Sequence, residues 1–123
     1  MDVPDELFKD LVSESLNLIP AEFQEYLDNV EVVIEEKPGT EVAREMRLRP
    51  GHMLFGLYTG IPLTGRSHDP APFPDRITLF KRALLDHCEN LDELRYQVAT
   101  TVLHEVAHHF GIGEERLREL GWG

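Results

Sequence analysis

The sequence predicts a small α+β protein on three observations. Apolar residues recur at helical spacing near the amino end, short alternating runs occupy the middle, and one long amphipathic helix lies towards the carboxyl end. At 123 residues and 41% hydrophobic content, the chain has enough apolar material for one modest core and no room for a second. Residues 1–123 are therefore expected to form one compact domain, a small sheet packed on the long helix with further helices at the amino end.

Residues 5–18 carry Leu7, Phe8, Leu11, Val12, Ser15 and Leu16 at spacings of three and four, the pattern of a helix that buries one stripe. Pro20 suits the first position of a second, short helix holding Phe23 and Leu27. From Asn29 to Glu36 the period changes to two, with Val30, Val32 and Ile34 on one side and Glu31 and Glu35 on the other, so a strand with one wet face is expected. Lys37, Pro38, Gly39 and Thr40 break it. Residues 42–49 suit a strand or an exposed connection equally.

Two more strands are expected at Met53 to Tyr58 and at Arg76 to Lys81, the second alternating Ile77 and Leu79 against Thr78 and Phe80. Between them, Pro70, Pro72 and Pro74 mark a surface loop over residues 66–75. The long helix starts at Asn90, with Glu93 completing a capping box. Leu91, Leu94, Val98, Val102, Val106 and Phe110 form its apolar stripe, and Gly111 ends it.

On that helix stand His104, Glu105 and His108, an HExxH pattern followed by Gly111 and Glu114. Histidines four apart share one helix face and make half of a metal site, while Glu is the residue type that takes a proton from water beside it. A bare HExxH is suggestive; adding the glycine and the acid at fixed spacing argues against accident. A third ligand cannot lie on the continued helix, where residue 114 would stand about 9 Å beyond His108 and off its face. A turn at Gly111 would bring Glu114 back, with Glu115 as the neighbouring competitor and His68 as the fallback. Two imidazoles, one carboxylate and an open fourth position describe catalytic rather than structural Zn2+. The expected reaction is peptide-bond hydrolysis by metal-activated water, with Glu105 as general base.

Other polar residues carry less. Gln97 and Thr101 lie on the histidine side and should line the same cleft. His109 projects a quarter-turn away and reads as a supporting or surface residue; His52, His68 and His87 have no spaced partners. Tyr58 is set aside as an oxyanion donor. Cys88, the one cysteine, lacks a paired base and reads as a partly buried thiol.

Charge and cysteine usage narrow the setting. Twelve basic against 23 acidic residues give a net −11, which disfavours nucleic-acid backbones and anionic membranes and would welcome a basic peptide. No apolar run approaches the roughly 20 residues of a membrane span, and residues 1–6 lack a signal peptide's basic start. With a single cysteine, a cytoplasmic setting is expected.

The run HEVAHHFGIGEERLRELGW, together with GLYTGIPLTGR at residues 56–66, PDRITLFKR at 74–82 and IPAEFQEYLDNVEVVIEE at 19–36, resembles the minimal zincin-like zinc metallopeptidases of bacteria. The resemblance implies a compact α+β zincin-like fold with His104, His108 and Glu114 as zinc ligands and Glu105 as catalytic base. Relatives carry Asp at the third position, where Glu114 is one methylene longer. Only nine residues follow Glu114 and none is Met, so a Met-turn and a second wall of the cleft are expected to be missing. A peptide or protein substrate would then add as an extended strand along residues 56–60. Activity is expected to be weak, narrowly specific or partner-dependent. The competing expectation is a non-catalytic metal-binding or interaction module on the same fold; a metal-dependent ribonuclease fits the charge poorly.

Overall fold

The computed structural model describes residues 1–28, 30–45, 54–60 and 75–122. Among these, six helices and three strands follow the order α1 (Asp5–Leu16), α2 (Ala21–Leu27), β1 (Val30–Glu35), α3 (Thr40–Glu45), β2 (Gly56–Thr59), β3 (Asp75–Phe80), α4 (Lys81–His87), α5 (Leu91–His109) and α6 (Glu114–Glu119). Met53, residues 46–50, the Pro-rich stretch to Pro74, His52 and His68 lie outside the described residues.

The sheet is mixed, with β3 in the centre. β1 runs parallel to it, pairing Val30 with Asp75 and Glu35 with Phe80; β2 runs antiparallel, pairing Gly56 with Leu79 and Thr59 with Arg76. Ile77 and Leu79 point into the helical layer and are fully buried, and Val30, Val32 and Ile34 pack beside them. On the opposite face Arg76 reaches Glu31 across the ladder at 3.4 Å. Phe80, expected to share that wet face with Thr78, is buried instead, because it closes the end of the strand just where the chain enters a helix.

Helix α5 is the organising element. It packs on α1, α2, α4, β2 and β3, and buries Leu94, Val98, Val102 and Val106 together with Ala99, Leu103 and Ala107. The stripe's two ends, Leu91 and Phe110, remain exposed. Asn90 Oδ1 accepts the Glu93 N–H at 2.9 Å as a cap should, while the Glu93 carboxylate reaches back to the Glu89 N–H at 2.7 Å, one residue earlier than the standard box.

Onto this helix α1 lays Phe8, Leu11, Val12 and Ser15, leaving Leu7 in solvent. Pro20 precedes α2 instead of opening it, and Gln24 ties the connection by donating to the carbonyls of Leu16 and Ile19. Residues 40–45 form a helical turn, so 42–45 are neither strand nor open connection, while 46–49 lie outside the described residues. The local sequence signals do not announce α4 or α6. α4 follows β3 without a breaker and buries Leu84 and Leu85; its first residue, Lys81, is buried and paired with Asp5 of α1. No helix among the described residues is long and apolar enough to cross a membrane.

Candidate metal centre

The last turn of α5 and the start of α6 build the site. Phe110 leaves helical geometry, Gly111 takes φ +80°, and the Ile112 N–H donates to Ala107 O at 2.7 Å while the Gly111 N–H donates to His108 O at 3.2 Å. This pair of bonds is a Schellman stop, which needs the left-handed conformation that glycine adopts without a Cβ clash. The chain turns back after it, and α6 begins at Glu114 directly beside the histidines.

His104, His108 and Glu114 come together there, offering one ligand atom each within 4.8 Å of one another. Glu114 Oε1 lies 2.7 Å from His108 Nε2 and 3.2 Å from His104 Nδ1. The hydrogen bond from His108 holds the Glu114 carboxyl below its usual range; burial opposes it less strongly, and the charge and hydrogen bond of His104 add smaller lowering effects. His104 is mostly covered, whereas His108 and Glu114 are about half exposed, so the group opens to solvent on one side.

A second Schellman stop closes the region from the other direction. Gly121 takes φ +88°, the Trp122 N–H donates to Leu117 O at 2.8 Å, and the Gly121 N–H donates to Arg118 O at 3.0 Å. The turn delivers the Trp122 carbonyl to His104 Nε2 at 2.6 Å, with the indole stacked on Tyr96. A backbone carbonyl on one ring nitrogen fixes the imidazole's tautomer and leaves the other nitrogen towards Glu114. Nothing in the sequence pattern points to Trp122.

The donor set suits zinc. Tetrahedral zinc with bonds near 2.0–2.1 Å sets its ligand atoms about 3.3 Å apart. The observed separations from Glu114 Oε1, 2.7 and 3.2 Å, are somewhat shorter than this, and all three ligand atoms lie within 4.8 Å of one another. Two imidazoles and one carboxylate are borderline and hard donors, and three protein ligands leave one position open.

Glu105 points to the sheet. Its Oε1 accepts the Tyr58 N–H of edge strand β2 at 3.1 Å. Phe80 donates to Phe55 O, so alternation along an antiparallel ladder turns the main-chain groups of Gly56 and Tyr58 away from β3, towards the side of β2 that carries no partner strand among the described residues. Between β2 and α5 lies a cleft of about 300 Å³ lined by Phe55, Gly56, Gln97, Thr101, His104 and Glu105, which places Gln97 and Thr101 where the helix periodicity put them. Gly56 is required by close approach: a Cβ there would stand 2.7 Å from Thr101 Cγ2.

The remaining candidates fall elsewhere. Tyr58 donates its hydroxyl to Asp75 Oδ2 at 2.6 Å and stacks on His109, so the group is committed away from the cleft. His87 packs against Phe55, and Cys88 is buried, which pushes its thiol up.

The three-stranded mixed sheet, the long helix beneath its edge and the His–His–Glu group define a zincin-like protein. The zincin-like metallopeptidase family matches residues 27–122, and the chain belongs to that family. Among solved structures it is similar to a conserved hypothetical protein from Thermus thermophilus, at 25% identity and a TM-score of 0.55, over 87% of this chain and 94% of that one. No curated protein matches the chain. Family and geometry together give a possible metallopeptidase or metal-binding function, with a His/Glu group able to hold a metal ion.

Proposed function

We propose that the protein is a zinc-dependent peptidase. The observation that carries this reading is the placement of Glu105 between the His104, His108 and Glu114 group and the outer side of β2. His104, His108 and Glu114 would hold the ion. When bound, zinc supplies Lewis acidity towards a carbonyl and lowers the pKa of water.

The chain's own residues account for the rest. An extended peptide can add beside β2 through the outward main-chain groups of Gly56, next to the Tyr58 N–H that holds Glu105, setting a scissile bond along the cleft. Glu105, with one oxygen held by the Tyr58 N–H, takes a proton from the attacking water and passes it to the leaving amine. The acidic surface favours basic peptides over anionic ones.

Zinc analysis joined to a peptide-library cleavage assay tests the reading. Glu105→Gln should retain zinc and lose at least about 100-fold in kcat, the scale of a general base. Cleavage within a few-fold of the unaltered chain would remove Glu105 from that role. Stoichiometric zinc with no cleavage of any peptide would leave a metal-binding module on a zincin-like fold.

A further inference from the structure

We propose that Asp75, Tyr58 and His109 form a clamp that positions Glu105 through the main chain of Tyr58. The inference rests on the reading of Glu105 as the base, and it assigns these three residues a positioning role in the same reaction.

A glutamate on a helix surface has three side-chain torsions and no intrinsic reason to keep one orientation. Among the described residues, the contact that fixes Glu105 is the 3.1 Å bond from the Tyr58 N–H. That donor sits on a four-residue strand that, among the described residues, has a ladder on one side only, a type of element that frays. Something beyond the ladder must hold residue 58 in place.

The side chain of Tyr58 supplies it. Its hydroxyl donates to Asp75 Oδ2 at 2.6 Å, and its ring lies almost parallel on the His109 imidazole, 4.0 Å between centroids and 21° between planes. His109 Nε2 approaches the same Asp75 oxygen at 3.9 Å. Asp75 opens the central strand, and its side chain is only 14% exposed, so the anchor is firm.

Geometry closes the circuit. His109 follows Glu105 by four residues and shares its face of α5, one turn along. Tyr58 therefore grips that face at two points, its ring on His109 and its N–H on Glu105. A Cβ at Gly60 would stand 3.0 Å from His109 Cε1, so the chain just past the end of β2 also lies close against the imidazole. Because the same strand offers its edge to the peptide, base and substrate take their position from one element. Misplacement of a base by about 1 Å is costly to kcat while leaving ground-state binding nearly intact.

The test reads hydrogen exchange at the residue 58 amide by NMR, zinc content, and steady-state peptide cleavage, all on the full chain. Glu105→Ala should speed exchange at residue 58 by about tenfold or more, as expected when a half-buried donor loses its acceptor. Tyr58→Phe, which keeps the ring and removes the hydroxyl, and Asp75→Ala should each speed it by about fivefold or more and lower kcat by about tenfold with KM within about twofold. Zinc content should stay the same in both. Asp75→Asn retains an oxygen acceptor for the tyrosine and should restore both readouts to within about threefold of the unaltered chain.

Unchanged exchange in Glu105→Ala would remove the contact itself. Faster exchange in Glu105→Ala with none in Tyr58→Phe would show that the ladder alone holds residue 58, and the clamp would be wrong. Should the unaltered chain cleave no peptide, the function proposed above fails while the exchange measurements still decide the clamp. Should Asp75→Ala fail to fold, Tyr58→Phe decides alone.

Discussion

The carbonyl oxygen of Trp122 lies 2.6 Å from Nε2 of His104, so a residue eighteen positions downstream orients the first histidine of the HExxH pattern. The tail reaches it through the turn at Gly121 and the stack of the indole on Tyr96. Trp122→Ala keeps the carbonyl but removes the stack that holds it, and should weaken zinc binding by about tenfold, the lower end for outer partners of a ligating histidine. Competition with a chromophoric chelator measures it. Equal affinity would mean that His104 orients itself.

The return at Gly111 makes a sharper prediction about the third ligand. Glu114→Ala should lower zinc affinity by at least about 100-fold and Glu115→Ala by less than about threefold, because only the first carboxylate reaches both histidines. Gly111→Val should reproduce the Glu114 loss without touching a ligand, since a β-branched residue resists φ +80°. If Gly111→Val binds zinc normally, the turn does not place Glu114.

His104→Ala and His108→Ala should each abolish stoichiometric zinc, as two protein ligands hold the ion too weakly to survive dialysis. Elemental analysis after gel filtration suffices. Full zinc content in either variant would move the site elsewhere.

Close packing of β2 on α5 should be visible in stability. Gly56→Ala drives a methyl to within 2.7 Å of Thr101 Cγ2 and should cost about 1–3 kcal/mol, the range for overpacking. Thr101→Ser removes the opposing methyl and should recover part of that loss when combined with it. Additive losses in a double-mutant cycle would show that strand and helix adjust independently.

Acid sensitivity follows from the buried Lys81. Its ammonium hydrogen-bonds Asp5, and that bond, then the charge of Lys81, lowers the Asp5 carboxyl below its ordinary 3.8. A depressed folded value stabilises the folded state above the unfolded value and ceases to do so as pH falls through the lowered one. Asp5→Asn should therefore lower the urea midpoint at pH 7, and the difference from the unaltered chain should shrink below about pH 3.8. A gap that stays constant down to pH 2 would exclude this pair as its source.

Legibility in the sequence divides along the range of the interactions. Helix α5 can be read almost to the residue, because its cap at Asn90, its apolar period and its stop at Gly111 are all local signals. The turn that brings Glu114 back is readable for the same reason. Helix α4 is hidden because β3 runs into it at Phe80 and Lys81 with no glycine, proline or capping side chain at the junction. Alternation assigns Phe80 to the wet face and cannot anticipate a helix folding over the strand's last residue. The partners of Tyr58 are unreadable in principle: Glu105 and Asp75 stand 47 and 17 residues away, and no periodicity relates them.

The central position of β3 has a consequence for how the chain assembles. Its partner β1 precedes it by 45 residues, and β1 and β2 flank it without pairing with each other. During synthesis both edges must wait for the middle, holding Val32, Ile34 and Leu57 unpaired for several seconds at ordinary elongation rates. Helix α5 emerges later still, and Glu114 and Trp122 after it. The His104, His108 and Glu114 group is therefore completed only after all three strands have emerged, so an ion held there would secure a structure it did not nucleate. Refolding rates should be the same with and without zinc, while zinc slows unfolding.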